Sequence, residues 1–560
     1  MKYLFSLMLL LSVFFVEGQN ALNIPPTITS TNINLTLQEG TTSFYQGVVT
    51  NTMGANGSLL GPTVILNQGD NVNITVDNQL TEPTTLHWHG LHVKPEDDGG
   101  PHSVIYPNEI WNPQFTVLDK AGTNWYHPHL HMQTDKHVSK GIAGLILVRD
   151  NEEASLNLPL NYGVDEFPLV LQTKGFDPSG QILVHTNMDT SVMVNGTVDA
   201  ITDFPAQVVR LRVLNGASQR SMELGFSDNR SFSLIGTDGG LFTAPLNMTR
   251  YRISPGQRAD ILVDLTTSEG DNFQLMSFAS ELPNAIYGAA QPGMGPGATA
   301  SLQDYTNNPL NGNDYVFLDV NVTAETANPI QTIPASLATF SPLLETNADI
   351  TRSLTFTSDG AMGDLNGPFL INGETFDMNT INYTIPLDNT EIWSLTNQTP
   401  IAHPFHIHDV QFFILDINGN PPPPELQGYN DVVLVPAGNG NVRFIAQFTT
   451  HTSDTVPYMY HCHMLTHEDD GMMGQFLVVD SEASLETFKK PEWNIYPNPS
   501  SGKITVNIEH LTALRITDAS GKVVHTVASS IGSKTIDLDV QTGMYFVSDD
   551  YGNVRKLVVK

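Results

Sequence analysis

The sequence predicts an all-β chain of three β-sandwich domains followed by a small, β-sandwich-like C-terminal domain. Three observations predict it. From about Asn32 onward, short runs rich in Val, Ile, Leu, Thr and Phe alternate with Gly, Pro, Asn and Asp clusters every eight to twelve residues, the spacing of strands and turns in sandwiches and barrels. No long stretch sustains a helical period, so helices should be few and short. A strand-to-turn pattern centred on an asparagine recurs at Thr75-Val76-Asp77-Asn78-Gln79, Arg212-Val213-Leu214-Asn215-Gly216 and Ser394-Leu395-Thr396-Asn397-Gln398. These intervals are too long for a solenoid repeat and suit whole domains. With 560 residues, 40% of them apolar, the chain can bury several cores.

At the N-terminus, Met1 and Lys2 precede an apolar run from Tyr3 to Val16, the pattern of a secretory signal peptide, placed at 1–19. The run is too short for an ordinary transmembrane helix, no later stretch is long enough, and no cysteine follows to carry a lipid. The mature protein is therefore expected to be exported, without a membrane span. The three sandwiches are placed at 20–155, 160–325 and 350–485. The tail, 493–560, holds seven Lys or Arg against six Asp or Glu, whereas the whole chain has a formal charge of −33. That change of balance, with Tyr496-Pro497-Asn498-Pro499 as a stiff opening turn, marks a separate domain. The acidic excess argues against nucleic acid and anionic membrane as partners.

An exported chain usually spends cysteines on disulfides, yet Cys462 is the single cysteine and can form no internal bridge. Its neighbours suggest its use. Ten of the eighteen histidines fall in four clusters: His87 and His89; His127 and His129; His403, His406 and His408; and His461, His463 and His467. On a strand, residues i and i+2 face the same side about 6 to 7 Å apart, so four His-x-His pairs offer eight imidazoles to one or more ions. Imidazole suits copper, zinc, iron and nickel alike, so spacing does not name the metal. Between His461 and His463, Cys462 must face the opposite side. With His403, His467 and Met472 it completes two imidazoles, one thiolate and a thioether, the blue-copper electron-transfer set. A blue copper passes single electrons whereas reduction of dioxygen to water needs four, which makes sense of a second, multi-ion centre. Asp97 and Asp98 follow the first pair, and Glu468, Asp469 and Asp470 follow His467. A carboxylate there can relay protons or orient an imidazole. The other eight histidines, among them His92, His131 and His137, are read as surface or supporting residues.

These motifs resemble the multicopper oxidase family of laccases, bilirubin oxidases, spore-coat laccases and bacterial cuprous oxidases. The resemblance rests on His87-Trp88-His89-Gly90, Trp125-Tyr126-His127-Pro128-His129, His403-Pro404-Phe405-His406-Ile407-His408, and His461-Cys462-His463 through His467 to Met472, and spans roughly Asn32 to Asp480. It implies three Greek-key cupredoxin domains and four copper ions. His403, Cys462, His467 and Met472 would hold the type 1 copper and His87 and His406 the type 2 copper. His89, His127, His129, His408, His461 and His463 would share the type 3 pair. It also implies proton delivery by Asp98 and Glu468, with dioxygen and a small-molecule reductant as partners. The tail resembles the C-terminal sorting domains of the type IX secretion system of Bacteroidetes, through Asn494-Ile495-Tyr496-Pro497-Asn498-Pro499, Asp518-Ala519-Ser520-Gly521-Lys522-Val523-Val524 and the basic terminus. That implies secretion machinery as a partner and a secreted or surface location.

Within the family the chain is expected to oxidise phenolic or aromatic substrates. One rival is a cuprous-ion oxidase, and another is a non-catalytic cupredoxin scaffold. A cuprous oxidase should gather thioethers over the blue site. Here the seventeen methionines are scattered, Phe405 to Tyr458 contains none, and Met294 stands alone in the loop Pro292 to Gly297. Met459, Met464 and Met473 are read as core packing.

Overall fold

The computed structural model describes residues 19–294, 302–360, 365, 367–480, 493–519, 521–549 and 554–560. Apart from Gln19, the leader placed at 1–19 lies outside the described residues. The chain divides into two units, Met1–Val479 and Asp480–Lys560. Among the described residues the longest α-helix, Thr134–Lys140, has seven residues, and no helix is long and apolar enough to cross a membrane.

The first unit is built from three pairs of sheets. In the first pair, Asn32–Thr42 buries Ile33, Leu35 and Leu37 and exposes or half-exposes the residues between them. This two-residue period packs one face against Trp88, Tyr126, Ile146 and Val148 of the facing sheet. That facing sheet runs Thr27–Ile28, Thr63–Asn67, Gly144–Arg149, Gly122–His127, His87–His89. Its counterpart in the third pair runs Tyr383–Pro386, Met473–Val479, Tyr458–Cys462, His403–Ile407, Val432–Val435. In each sheet a hairpin, Gly122–His127 with Gly144–Arg149 or Tyr458–Cys462 with Met473–Val479, lies beside a short strand, His87–His89 or His403–Ile407. Histidines sit on the short strand and on the hairpin strand next to it.

The middle pair differs in burial. Every residue of Val208–Asn215 is buried, including Arg210 and Arg212. Buried guanidinium groups require partners, and these have them: Arg210 bonds Asp260, Arg212 bonds Glu166, Asp260 and Glu153, and Arg210 also pairs with Glu153. Glu153 belongs to the short helix after the first sandwich, so this ion network ties the first two sandwiches together. Asn20–Ala21 adds a parallel edge strand to the middle domain at Ala200 and Ile201.

The C-terminal unit is one five-stranded sheet among its described residues, with Trp493, Val506, Leu514, Ile516, Val547 and Leu557 in its core. Register shifts in the long pair Lys503–Asp518 and Val523–Asp537 mark bends, which let one sheet wrap a core that a flat sheet would leave open.

Candidate metal centre

Strand alternation and hairpin register place the histidines. In the first sandwich His127 lies opposite His87 and Trp125 opposite His89. In the third, His461 lies opposite His406 and Cys462 opposite Phe405. The structure brings His87, His89, His127, His129, His406, His408, His461 and His463 into one buried cluster between these two strand pairs. It brings His403, Cys462 and His467 into a second group.

The cluster presents lone pairs, because the outer nitrogens are tied down. The Nδ1 atoms of His87, His127, His406 and His461 bond the carbonyl oxygens of Asp98, Pro128, Asp431 and Cys462 at 2.8–3.0 Å, and His408 Nδ1 bonds Asp98 Oδ2 at 2.8 Å. An imidazole that donates from Nδ1 keeps its Nε2 lone pair for a metal. Those Nε2 atoms point inward: His129 Nε2 is 3.1 Å from His461 Nε2 and 3.3 Å from His408 Nε2. His89 is turned the other way, with Nε2 toward Asp431 Oδ1 at 3.3 Å and Nδ1 facing His463 Nε2 at 3.3 Å. The Nε2 atoms of His87, His127 and His406 are buried without a hydrogen-bond partner. Burial, reinforced by neighbouring imidazoles, pushes His89, His127, His406, His408 and His463 well below their usual pKa, and His129 too although Glu468 opposes the shift. Neutral, converging lone pairs without protons between them fit cations and little else.

At the second group, His403 Nδ1 and His467 Nδ1 are 3.2 Å apart and lie 3.5 and 3.7 Å from Cys462 Sγ. The centre of such a triangle is about 2 Å from each corner, the length of a metal–ligand bond. Thr399 Oγ1 hydrogen-bonds His403 Nε2 at 2.8 Å, which leaves Nδ1 for the metal. Burial lowers His467 to about 3 and pushes the Cys462 thiol far up, so thiolate forms here only with a cation beside it. The Phe369 ring covers both imidazoles, with its centroid 4.7 and 4.6 Å from theirs. Met472 is fully buried in the same core and bound through its backbone to both Cys462 and His467.

The two singled-out carboxylates both reach the large cluster. Asp98 bonds His408 through its side chain and His87 through its carbonyl. Gly99, at φ +81°, makes this approach feasible, since a Cβ there would sit 1.8 Å from Leu86 O. Glu468 lies 3.3 Å from His129 Nδ1 and 3.2 Å from His461 Nδ1, so it spans the two hairpins. Burial would raise its pKa, but the two imidazoles outweigh that and hold it at about 2. The remaining acids serve elsewhere: Asp97 pairs with Lys94 and Asp469 receives the backbone N–H groups of Thr134 and Asp135.

Several histidines outside the clusters have partners of their own. His137 is fully buried between Thr84 and Glu82, and His92 Nδ1 bonds the Asp409 carbonyl at 3.0 Å and lies 2.7 Å from the Asp409 carboxylate. Met459, Met464 and Met473 are buried in cores. Met294 reaches the third sandwich: its backbone N–H donates to Pro400 O, and its sulfur lies 2.2 Å from where a Cβ on Gly438 would sit. Sequence reasoning missed Asp431 and Thr399. Asp431 lies 342 residues from His89, and Thr399, though only four residues before His403, lies in a turn with no periodic pattern to mark it.

Comparison with known proteins agrees with this geometry. Residues 36–153, 170–294 and 344–482 each match a family profile described as multicopper oxidase, and 494–560 match a secretion system C-terminal sorting domain. The multicopper oxidase Mco of Staphylococcus haemolyticus is 32% identical over 486 residues, covering 83% of this chain and 94% of that one. The cell division protein FtsP of Sodalis glossinidius is also 32% identical, covering 82% and 93%. A solved laccase-like multicopper oxidase of an Ochrobactrum species, described as active towards lignin model compounds and lignosulfonate, superposes with a TM-score of 0.72. It is 34% identical, and the match covers 82% of this chain and 100% of that one.

Proposed function

This chain belongs to the multicopper oxidase family and ends in a secretion sorting domain, and we propose that it couples one-electron oxidation of phenolic or aromatic substrates to reduction of dioxygen to water. The observation that carries the proposal is the position of Cys462. Its sulfur faces His403 and His467, while His461 and His463 on either side of it face the large cluster. One strand thereby joins an electron-accepting site to a multi-ion site.

In this proposal His403, Cys462, His467 and Met472 hold type 1 copper and His87 and His406 type 2 copper. His89, His127, His129, His408, His461 and His463 hold the type 3 pair, four ions in all. When bound, these ions supply the one-electron chemistry and the binding of dioxygen. The protein's part is to keep buried imidazoles such as His89, His127, His406, His408 and His463 neutral, orient the rings through backbone carbonyls, exclude water with Phe369 and deliver protons through Asp98 and Glu468.

A cavity of about 390 Å³ supports an organic reductant. It is lined by Ala402, next in sequence to His403, and by Leu434 and Pro436, which flank its strand partner Val435. Its volume suits a substituted ring. Glu223 also lines it, and burial raises that carboxyl despite Arg252, which makes it a fitting acceptor for a phenolic proton. Met294 is the observation favouring the cuprous-ion rival, as one thioether on the loops flanking His403. Oxygen uptake by the copper-loaded protein over phenols, bilirubin and cuprous ion tests the proposal. It expects phenol oxidation without added cupric ion. Uptake confined to cuprous ion would reverse it, and absence of blue colour after loading would favour the scaffold.

Export belongs to the same proposal. The leader at 1–19 would carry the chain across the inner membrane, and the sorting tail would pass it to secretion machinery for release or surface attachment. Mass spectrometry of the exported protein tests this: a chain beginning at Met1 would exclude the leader.

A further inference from the structure

The middle sandwich carries none of the twelve proposed ligands, yet one of its turns, Ser254-Pro255-Gly256-Gln257-Arg258, reaches the histidine cluster. Gly256, at φ +83°, packs against His463 so closely that a Cβ would lie 2.7–2.8 Å from three ring atoms. Gln257 donates to Val432 O at 3.3 Å. Arg258 is fully buried, and its guanidinium makes two parallel hydrogen bonds to Asp431, at 2.6 Å to Oδ1 and 2.5 Å to Oδ2. The other donors are engaged too: Nε on Thr123 O at 2.9 Å, Nη1 on Gly256 O at 3.0 Å, and Nη2 on Asp238 O at 3.0 Å. One side chain of the middle sandwich thus bonds all three sandwiches.

Asp431 in turn touches two cluster histidines. Its Oδ1 lies 3.3 Å from His89 Nε2, and its carbonyl accepts the Nδ1–H of His406 at 2.8 Å. A carboxylate that accepts from one imidazole nitrogen sets the tautomer and ring plane that offer the other nitrogen to a metal. A bidentate guanidinium fixes the plane of that carboxylate as a lysine ammonium cannot. The motif glycine after His89 belongs to the same device. Gly90, at φ +93°, leaves room for the fork, since a Cβ there would meet Arg258 Nη2 at 2.6 Å and Asp431 Oδ2 at 3.0 Å.

We propose that Arg258 is a positioning residue of the histidine cluster, acting through Asp431 to orient His89 and His406, so that the ligand-free middle domain takes part in holding the metal. The proposal rests on the copper reading of the cluster. The test uses the full chain, copper-loaded, as wild type, Arg258→Lys and Asp431→Asn, with copper per chain, the electron paramagnetic resonance spectrum, the blue absorbance and thermal melting measured on each. Arg258→Lys keeps the charge and loses the fork, and Asp431→Asn keeps the shape and loses one carboxylate oxygen. Both are expected to weaken copper binding at the cluster about tenfold or more and to alter the non-blue copper signal. The blue band of Cys462 should persist in both. Folded variants with a full copper complement and an unchanged non-blue signal would overturn the role of Arg258. If Arg258→Lys does not fold, Asp431→Asn decides alone by the same criteria. A wild-type chain that takes up copper only at Cys462 would instead overturn the copper reading of the cluster.

Discussion

The hairpin that carries His127 and His129 and the hairpin that carries His461 and His463 share a Tyr-His-x-His run and differ within it only at the middle residue, Pro128 or Cys462. In both, a tyrosine two residues before the middle position lies opposite a glycine, Tyr126 opposite Gly144 and Tyr460 opposite Gly474. In both, the first histidine donates from Nδ1 to the carbonyl of the middle residue, at 2.9 Å to Pro128 and 3.0 Å to Cys462. The difference lies in what the middle side chain meets. Cys462 meets His403 and His467, whereas among the described residues no second group of ligands includes a neighbour of the Pro128 side chain on that face. The cluster is therefore served by the backbone and by alternate side chains of both hairpins. The second site exists only where the remaining alternate side chain is a thiol with imidazoles opposite.

The largest break in this comparison is Cys462→Ser. Hydroxyl is a poor ligand for copper compared with thiolate, so the variant should lose its blue absorbance and its oxidation of organic substrates, while its histidine cluster keeps the carbonyl that orients His461. Copper analysis and the visible spectrum check this together; a variant that stayed blue would move the proposed type 1 site elsewhere.

The carboxylates sharpen the comparison next, because Glu468 touches both hairpins and Asp98 only the short strands beside them. Glu468→Gln is expected to slow oxygen uptake about 100-fold and Asp98→Asn about tenfold, each with copper content retained. The order matters more than the sizes, and equal effects would deny Glu468 its bridging role. A second readout is acid stability of the copper-free chain. Glu468 is held at about 2 against an ordinary 4.5. Its favourable contribution is therefore present above about pH 4.5 and lost as the pH falls toward 2. Glu468→Gln removes that loss, so its melting temperature should fall less between pH 5 and pH 3 than that of wild type.

These contrasts show what was legible in the sequence. The His-x-His pairs and the opposite facing of Cys462 follow from a two-residue strand period, a local property that six or seven residues reveal. The three sandwiches follow from turn spacing and from the recurring asparagine-centred strand-to-turn pattern at Asn78, Asn215 and Asn397. Asp431 and Arg258 were illegible because Asp431 meets His89, and Arg258 meets Asp431, through contacts that only the folded chain makes. Thr399 reaches His403, four residues on, through a turn whose side-chain directions no periodic pattern marks. Arg258 and Asp431 are 173 residues apart. The contacts of Met294 were hidden for the same reason, since its neighbours Pro400 and Gly438 belong to the third sandwich. Burial of Arg210 and Arg212 was also hidden, because a strand with alternating arginines reads as half-exposed until its carboxylate partners arrive from other segments.

The glycines give a smaller and more symmetrical test. A Cβ at Gly144 would sit 2.3 Å from Tyr126 Oη, and one at Gly474 would sit 2.2 Å from Tyr460 Oη. Each glycine→alanine change should cost about 1–3 kcal/mol of stability, measured by denaturant unfolding, since a buried ring must shift. Only Gly474→Ala should also move the blue band, because Tyr460 shares a strand face with Cys462 while Tyr126 shares one with Pro128. A blue band equally disturbed by both would mean that the hairpins are coupled more tightly than their separate sheets imply.

The smallest effect on activity is expected at the position that makes the largest difference between the hairpins. Pro128→Ala keeps the carbonyl that accepts from His127, and among the described residues no ligand set stands behind the side chain, so copper content, blue absorbance and oxygen uptake should stay within about twofold of wild type. Stability should not. Proline restricts the unfolded chain, and its replacement forfeits about 0.4–1 kcal/mol. Alanine also brings a backbone N–H into a buried position. In the hairpin of the third sandwich the corresponding N–H, that of Cys462, is given to Met472 O at 3.0 Å, and a donor left unpaired costs about 1–3 kcal/mol. Denaturant unfolding should therefore show a loss of roughly 2 kcal/mol in a fully active enzyme. A large loss of oxygen uptake at unchanged copper content would show instead that the proline side chain itself shapes the cluster, and the likeness of the two hairpins would then end at their backbone.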